Sequence, residues 1–213
     1  EAIRLHREIL QIDPASPRAL AALDDLFQRQ QMWGDLADNV DRQLALAADP
    51  DDQIALMIRL AVLRETRMSS PDAAIEIYRQ VLERDASNAD SLRALERLLA
   101  EPQHQVVIAE ILEPIYQSAS EFKKLVGVHE IQAFHASSPE RRVELLHRIA
   151  ELHEVALDDA ASAFTSFARA LSEDPANVTT QEQLDRLALT TGSWEALAQV
   201  YEERVQGLED VAL

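Results

Sequence analysis

The amino-acid sequence predicts an all-α protein, an α-solenoid of about twelve antiparallel helices. Three observations predict this fold. Ala and Leu, two of the best helix-forming residues, supply 62 of the 213 residues, and runs of β-branched residues typical of strands are absent. Residues that start or stop helices recur at short, regular intervals, and parts of the sequence repeat along the chain.

The helix boundaries follow from capping residues, helix-starting prolines and C-terminal glycines, taken in chain order. These signals lie at Asp13-Pro14, Ser16-Pro17, Trp33-Gly34, Asp49-Pro50, Ser70-Pro71, Asp85 to Asn88, Glu101-Pro102, Ser118 to Ser120, Ser137 to Pro139, Asp158-Asp159, Asp174-Pro175 and Gly192-Ser193. They separate helices of 12 to 18 residues that are joined by links of two to five residues. Because such links are short, each helix is expected to run antiparallel to its predecessor.

Within the helices, apolar residues recur every three or four positions, as in Leu20, Leu23 and Phe27. No long link or low-complexity segment divides the sequence. We therefore expect one continuous array over residues 1–213. Because residue 1 is Glu rather than Met, we also expect this array to be a fragment of a longer chain.

The charge balance restricts the partners of this protein. With 38 acidic and 20 basic residues the chain has a formal charge of −18, which repels nucleic acid and anionic membrane surfaces. The longest apolar runs have five residues, so no membrane insertion is expected. The absence of cysteine excludes disulfides and thiolate sites, and it does not indicate a compartment. We expect a soluble compartment, the cytoplasm first, with the periplasm or another soluble compartment as alternatives.

An internal repeat supports the predicted architecture. Asp13, Asp49 and Asp85 lie 36 residues apart, each at a predicted helix end. Residues 33–98 also align without a gap on residues 122–187, at an offset of 89. Repeats of this length indicate an array in which each unit buries its apolar face against its neighbours.

The repeated positions resemble those of tetratricopeptide repeats, in which each unit has two helices, A and B. The matching positions are Leu146, Ile149 and Ala150 on helix A with Ala163, Phe167, Ala170 and Pro175 on helix B, and in the earlier copy Met57, Leu60 and Ala61 with Ala74, Tyr78 and Val81. Small residues at a helix crossing allow close approach, and the aromatic residue fills the adjoining space. The resemblance implies a superhelix whose A helices line a concave binding face.

Two features depart from the tetratricopeptide pattern. The aromatic residue that the family places near the end of helix A is replaced by Arg64 and His153. In addition, the offset of 89 exceeds two 36-residue repeats by 17 residues, which is about one helix. We expect this extra helix near residues 88–118, where Glu101-Pro102 interrupts the helical pattern.

The sequence offers little for catalysis. The four glycines are too far apart for a phosphate-binding loop, and His129 and His135 are six residues apart instead of the four of zinc-binding helices. Adjacent carboxylates such as Asp24 and Asp25 diverge by about 100° on a helix and cannot share a proton. We therefore expect no enzyme activity, catalytic residue, cofactor or metal site.

The resemblance also directs attention to the A helices. The family's known grip on a C-terminal carboxylate uses Lys, Arg and Asn; Arg59 and Arg148 match one position, but Val62 and Glu151 replace the Asn, so that grip is not expected. The candidate partner-binding surface consists of Arg18, Asp25, Arg59, His147, Arg148 and Glu151. The alternative is that these are solvated residues making ordinary pairs four residues apart.

These observations predict a non-catalytic scaffold that binds a protein or peptide along the concave face. Net acidity favours a basic partner, and the sequence also allows self-association. The alternative function is a structural or regulatory spacer in a larger multidomain enzyme or signalling protein.

Overall fold

A computed structural model describes the backbone of residues 1–211 and the side chains of residues 1–202. Residues 1–211 form twelve α-helices, which confirms the all-α prediction. The helices are α1 (Ala2–Ile12), α2 (Pro17–Arg29), α3 (Trp33–Leu46), α4 (Pro50–Thr66), α5 (Pro71–Arg84), α6 (Ala89–Leu98), α7 (Gln105–Ser118), α8 (Phe122–His135), α9 (Pro139–Glu151), α10 (Ala160–Glu173), α11 (Val178–Thr191) and α12 (Trp194–Val211). A 3-10 turn, Pro102–His104, precedes α7, and a π-helical segment, Leu152–Ala156, continues α9.

The helix ends lie where the capping signals predict them. The Asp49 side chain accepts a hydrogen bond from the Asp51 N–H at 2.8 Å, and Asn88, Ser138, Asp159 and Asn177 cap later helices in the same way. Helices α2, α4, α5 and α9 begin with proline. Gly192 ends α11 with a φ of 72°, a left-handed conformation that glycine adopts without steric cost.

The chain divides into two compact units, residues 1–104 and residues 105–213, called unit 1 and unit 2. Unit 1 contains α1 to α6, and unit 2 contains α7 to α12. Within each unit, successive helices pack against each other. The boundary follows α6 and precedes α7, the two helices in the region where the sequence predicts an extra helix. One continuous array across both units stays a prediction.

Several core residues that are related by the offset of 89 are buried to the same degree in the two units. Ala61 and its counterpart Ala150 are fully buried, as are Ala74 and Ala163. The aromatic position of helix B is buried in both copies, as Tyr78 and Phe167. The turns that join α4 to α5 and α9 to α10 also match, because Ser69 and Asp158 have positive φ values of 52° and 53°. The tetratricopeptide-like helix pairs predicted from the sequence are therefore present in both units.

Candidate partner-binding surface

The six candidate residues lie in both units. Arg18 and Asp25 are on α2 and Arg59 is on α4, all in unit 1, whereas His147, Arg148 and Glu151 are on α9 in unit 2. Two networks of polar side chains, one in each unit, surround the two arginines.

In unit 1 the network is centred on Asp24 of α2. Its carboxylate accepts hydrogen bonds from Asn39 Nδ2 at 2.7 Å, Gln43 Nε2 at 3.0 Å and Arg59 Nη1 at 2.6 Å. The Asp24 side chain is 13% exposed and that of Arg59 is 37% exposed. Arg59 thus links α4 to α2 and retains an accessible part of its guanidinium group. Its partner is Asp24, not the neighbouring Asp25, which is exposed.

In unit 2 the corresponding network is centred on Glu113 of α7, which is 89 residues after Asp24. Glu113 accepts a hydrogen bond from Gln132 Nε2 at 2.7 Å, and Arg148 Nη1 lies 3.5 Å from its carboxylate. Gln132 and Arg148 are likewise 89 residues after Gln43 and Arg59. Both units therefore contain the same triad of carboxylate, glutamine and arginine, joining three helices.

Arg148 also pairs within its own helix. Its Nη2 donates to Glu144 at 2.8 Å, four residues earlier, and the side chain is 44% exposed. The ordinary pairing of residues four apart, which the sequence left as an alternative, is therefore present at Arg148 together with the contact to α7.

The remaining candidates differ in accessibility. Arg18, Asp25 and Glu151 are exposed, and within the described side chains none of them makes a hydrogen bond or ion pair. His147 is only partly exposed: its Nε2 lies 2.7 Å from the Thr180 hydroxyl, and its ring packs edge-on against Phe167 with centroids 5.2 Å apart. His147 therefore connects α9 to α10 and α11 inside unit 2.

The same position in unit 1 shows what His147 contributes. Its counterpart there is Ile58, and the counterpart of Thr180 is Ser91. The Ser91 hydroxyl is buried and lacks a hydrogen-bond partner among the described residues, whereas the Thr180 hydroxyl has His147. Since an unsatisfied buried hydroxyl costs free energy, the histidine has a structural role in unit 2.

Unit 2 is expected to lose stability as the pH falls from 7 to 5. Burial lowers the pKa of His147 below its ordinary value of about 6.5, against an opposing effect of the Glu151 carboxylate. Protonation is therefore easier in the unfolded chain, so the contribution of neutral His147 is lost as the pH falls below that value. Thermal unfolding monitored by Trp194 in a Trp33→Phe background measures this effect in unit 2.

The matched variants identify the group responsible for this pH dependence. His147→Gln should reduce the difference in melting temperature between pH 7 and pH 5, and His135→Gln, at an exposed site, should leave it unchanged. An unchanged pH dependence in His147→Gln would show that another group is responsible.

Each unit also contains an ion pair between an arginine and a glutamate of different helical segments. Arg97 of α6 lies 2.5 Å from Glu65 of α4, and Arg186 of α11 donates two hydrogen bonds of 2.6 Å to Glu154. The pairs correspond at the offset of 89 but differ in burial, because Glu65 is 7% exposed and Glu154 is 27% exposed. The Arg186 guanidinium lowers the pKa of Glu154 below its ordinary value.

Each unit has an open groove that crosses the middle one of three neighbouring helices. In unit 1 a groove of about 340 Å³ crosses α4 between α3 and α5, with Leu44, Met57 and Leu60 in its lining. In unit 2 a groove of about 510 Å³ crosses α9 between α8 and α10, with Ala133, Phe134 and Leu146 in its lining. Leu44 and Met57 correspond to Ala133 and Leu146, so the grooves are repeats of one feature.

Metal-binding clusters and membrane-spanning helices are absent from the described residues. These residues contain no group of three or more His, Asp or Glu side chains placed to hold a metal ion. They also contain no helix with the length and apolar character needed to cross a bilayer.

Comparisons with known proteins identify a weak structural likeness. No family model matches the chain, and no curated protein matches it. A solved structure of a thermophilic TPR protein from Thermus thermophilus is similar, with 16% identity, a TM-score of 0.33, and coverage of 88% of this chain and 89% of that chain. The evidence for tetratricopeptide-like helix pairs is therefore the helices and the repeated positions of this chain, and not this likeness.

Proposed function

We propose that the protein is a non-catalytic scaffold that binds a protein or peptide segment along the helices that carry the two arginines. The observation that supports this function is the duplicated triad, Asp24, Gln43 and Arg59 in unit 1 and Glu113, Gln132 and Arg148 in unit 2. Repeat proteins bind extended partners through side chains that recur along the array. A recurring, partly exposed arginine is well suited to this role.

Each arginine has N–H donors that its partner within the unit does not use. A guanidinium group has five N–H donors, and Arg59 uses one of them on Asp24. The carboxylate fixes the orientation of the guanidinium, which reduces the entropy lost when a partner binds. The remaining donors can bind backbone carbonyls or a carboxylate of a peptide. Arg18 and Asp25 beside the triad of unit 1, and Glu151 on α9, would add exposed polar contacts.

The charge distribution supports a basic partner. Unit 1 has 19 acidic and 12 basic residues, a net charge of −7, and unit 2 has 19 acidic and 8 basic residues, a net charge of −11. Such a field accelerates the encounter with a positively charged protein and is weakened by salt. We propose that the arginines position the partner and that the surrounding carboxylates attract it.

Selection from a displayed peptide library tests this function. We expect the chain to select peptides rich in Lys and Arg. Fluorescence anisotropy of the selected peptides should show at least about tenfold weaker binding to the Arg59→Gln/Arg148→Gln double variant, a difference of about 1.4 kcal/mol. Binding should also weaken as the salt concentration rises, since long-range steering is screened.

The control variant, Arg79→Gln/Lys123→Gln, also removes one positive charge from each unit; the Arg79 side chain is 43% exposed, and Lys123 is exposed. It should bind the peptides nearly as well as the unmodified chain. Equal binding by all three proteins would exclude the arginine surface. Failure to select any peptide would favour the alternative function, a spacer segment within a larger protein.

A further inference from the structure

Phe134, in the last turn of α8, has an unusual exposure. Its side chain is 82% exposed, more than any other Phe, Tyr or Trp among the described side chains. The ring contacts His135 edge-on, with centroids 5.1 Å apart. The repeat does not require an aromatic residue here, because the counterpart in unit 1 is Ala45. A solvent-exposed aromatic side chain is a typical anchor residue of a protein–protein interface.

The groove over α9 begins directly beside this ring. Phe134 is part of its lining, and the volume of the groove is about 510 Å³. The rest of the lining is mainly charged and polar, because the two other apolar residues, Ala133 and Leu146, are each only 3% exposed. This volume falls within the range of roughly 300 to 1,000 Å³ that is typical of ligand-binding pockets. One surface patch therefore contains both a projecting aromatic ring and a groove with a largely polar lining.

The charged residues at the groove are balanced. Arg169 makes two hydrogen bonds of 2.6 and 2.7 Å to Glu130, and Arg142 donates to Glu173 at 2.8 Å. These two arginines and two glutamates carry no net charge, although unit 2 as a whole has a charge of −11. Two copies of the chain can therefore approach each other at this patch with less repulsion than the overall charge would produce.

We propose that this patch binds the same patch of a second copy of the chain, with the Phe134 ring of each copy inserted into the groove of the other. A two-fold interface requires one surface to be complementary to itself, and this patch supplies a ring, a groove and both signs of charge. Because Ala45 replaces the phenylalanine in unit 1, the described residues of each chain form one such patch. Association therefore closes as a dimer and does not extend into a filament.

The dimer patch is independent of the arginine surface proposed above. It is formed by α8, α9 and α10 and uses Leu146 of α9, whereas Arg148 of α9 faces Glu113 of α7. Loss of one activity would therefore leave the other intact.

Sedimentation velocity across the micromolar range tests the proposal. We expect the unmodified chain to be in equilibrium between monomer and dimer. Phe134→Glu should weaken the dimer at least about tenfold, because it places a charge where an apolar ring is buried. Leu189→Glu, which changes an exposed apolar residue on α11 of the same unit, is the control and should leave the dimer unchanged. Circular dichroism should show the same helicity in all three proteins.

Cross-linking locates the contact. The natural chain has no cysteine, so Ser172→Cys places a single thiol at the groove and Thr190→Cys places one on α11. A short bis-maleimide should join two chains through Cys at position 172, and adding Phe134→Glu should abolish that product. The proposal is overturned by a monomer at all concentrations, by assembly beyond the dimer, by a dimer that Phe134→Glu does not weaken, or by equal cross-linking at position 190.

Discussion

Replacement of Arg97 by alanine is expected to lower the unfolding free energy of unit 1 by about 3 kcal/mol, because it leaves a buried carboxylate without its cation. Glu65 is 7% exposed, and its partners are Arg97 at 2.5 Å and the Tyr78 hydroxyl at 3.1 Å. Without Arg97, only the neutral hydroxyl remains. The expected loss lies at the lower end of the range for buried pairs, since the Arg97 side chain is itself exposed.

Urea unfolding monitored by tryptophan fluorescence can measure this loss in the correct unit. The chain has two tryptophans, Trp33 in unit 1 and Trp194 in unit 2. A Trp194→Phe background therefore makes the fluorescence report on unit 1 alone. The urea concentration at the midpoint of unfolding should fall, while the slope of the unfolding free energy against urea concentration stays constant. This combination shows that stability has changed and that the surface exposed on unfolding has not.

The repeat supplies a matched control for this experiment. Arg186→Ala removes the corresponding arginine of unit 2, where Glu154 is 27% exposed, so water can solvate the carboxylate that remains. We expect a loss of less than about 1 kcal/mol, as for an exposed ion pair. In unit 1, Glu65→Gln in the Arg97→Ala background should recover most of the lost stability. Equal losses in the two units would show that burial of the carboxylate is not the cause.

The helices of this protein were predictable because their signals are local. Proline at the first helical position and a capping side chain before it act within one turn, so Asp49-Pro50 and Ser138-Pro139 identify helix starts without knowledge of packing. The interior positions were also predictable, since Ala61 and Ala150 recur at the offset of 89 and are buried where the repeat places them. Local signals and repetition together define the fold.

The π-helical segment after α9 was not predictable in this way. Residues 152–156 align with residues 63–67 without a gap, yet α4 continues as a regular helix to Thr66 and the later segment is π-helical. In unit 1 the Thr66 hydroxyl donates to the Val62 carbonyl at 2.7 Å, and the aligned Val155 has no donor for such a bond. No feature of the sequence indicates which backbone hydrogen-bond pattern is adopted.

The polar networks were only partly predictable, because they join different helices. The sequence indicated Arg59 and Arg148 through the repeat, but it directed attention to Asp25 and not to Asp24, which binds Arg59. Adjacent residues on a helix point about 100° apart, and the direction of each depends on packing. The offset of 89 does relate Asp24 to Glu113, so a search for repeated charged positions would have found both networks.

Replacement of Phe167 by alanine is expected to cause the largest loss of stability in unit 2, about 3 to 5 kcal/mol. The ring is buried in a cluster that includes Ala150, Ala163, Leu184 and Leu187. Its removal would leave a cavity enclosed by α9, α10 and α11 and would also remove the edge-on contact with His147. Urea unfolding of a Trp33→Phe background, in which Trp194 reports on unit 2, measures this loss.

The tyrosine variant separates the volume of the ring from its chemistry. Tyr78, the counterpart of Phe167, places its hydroxyl 3.1 Å from Glu65, and Glu154 is the counterpart of that carboxylate. A hydroxyl added in Phe167→Tyr would therefore find an acceptor, and the change in unfolding free energy should stay within about 1 kcal/mol. If Phe167→Tyr were as damaging as Phe167→Ala, the two units would not share one packing scheme at this position. If Phe167→Tyr has a small effect and Phe167→Ala a large one, both units need a ring of this volume at this position. The presence or absence of a hydroxyl group on the ring is then of little consequence for stability.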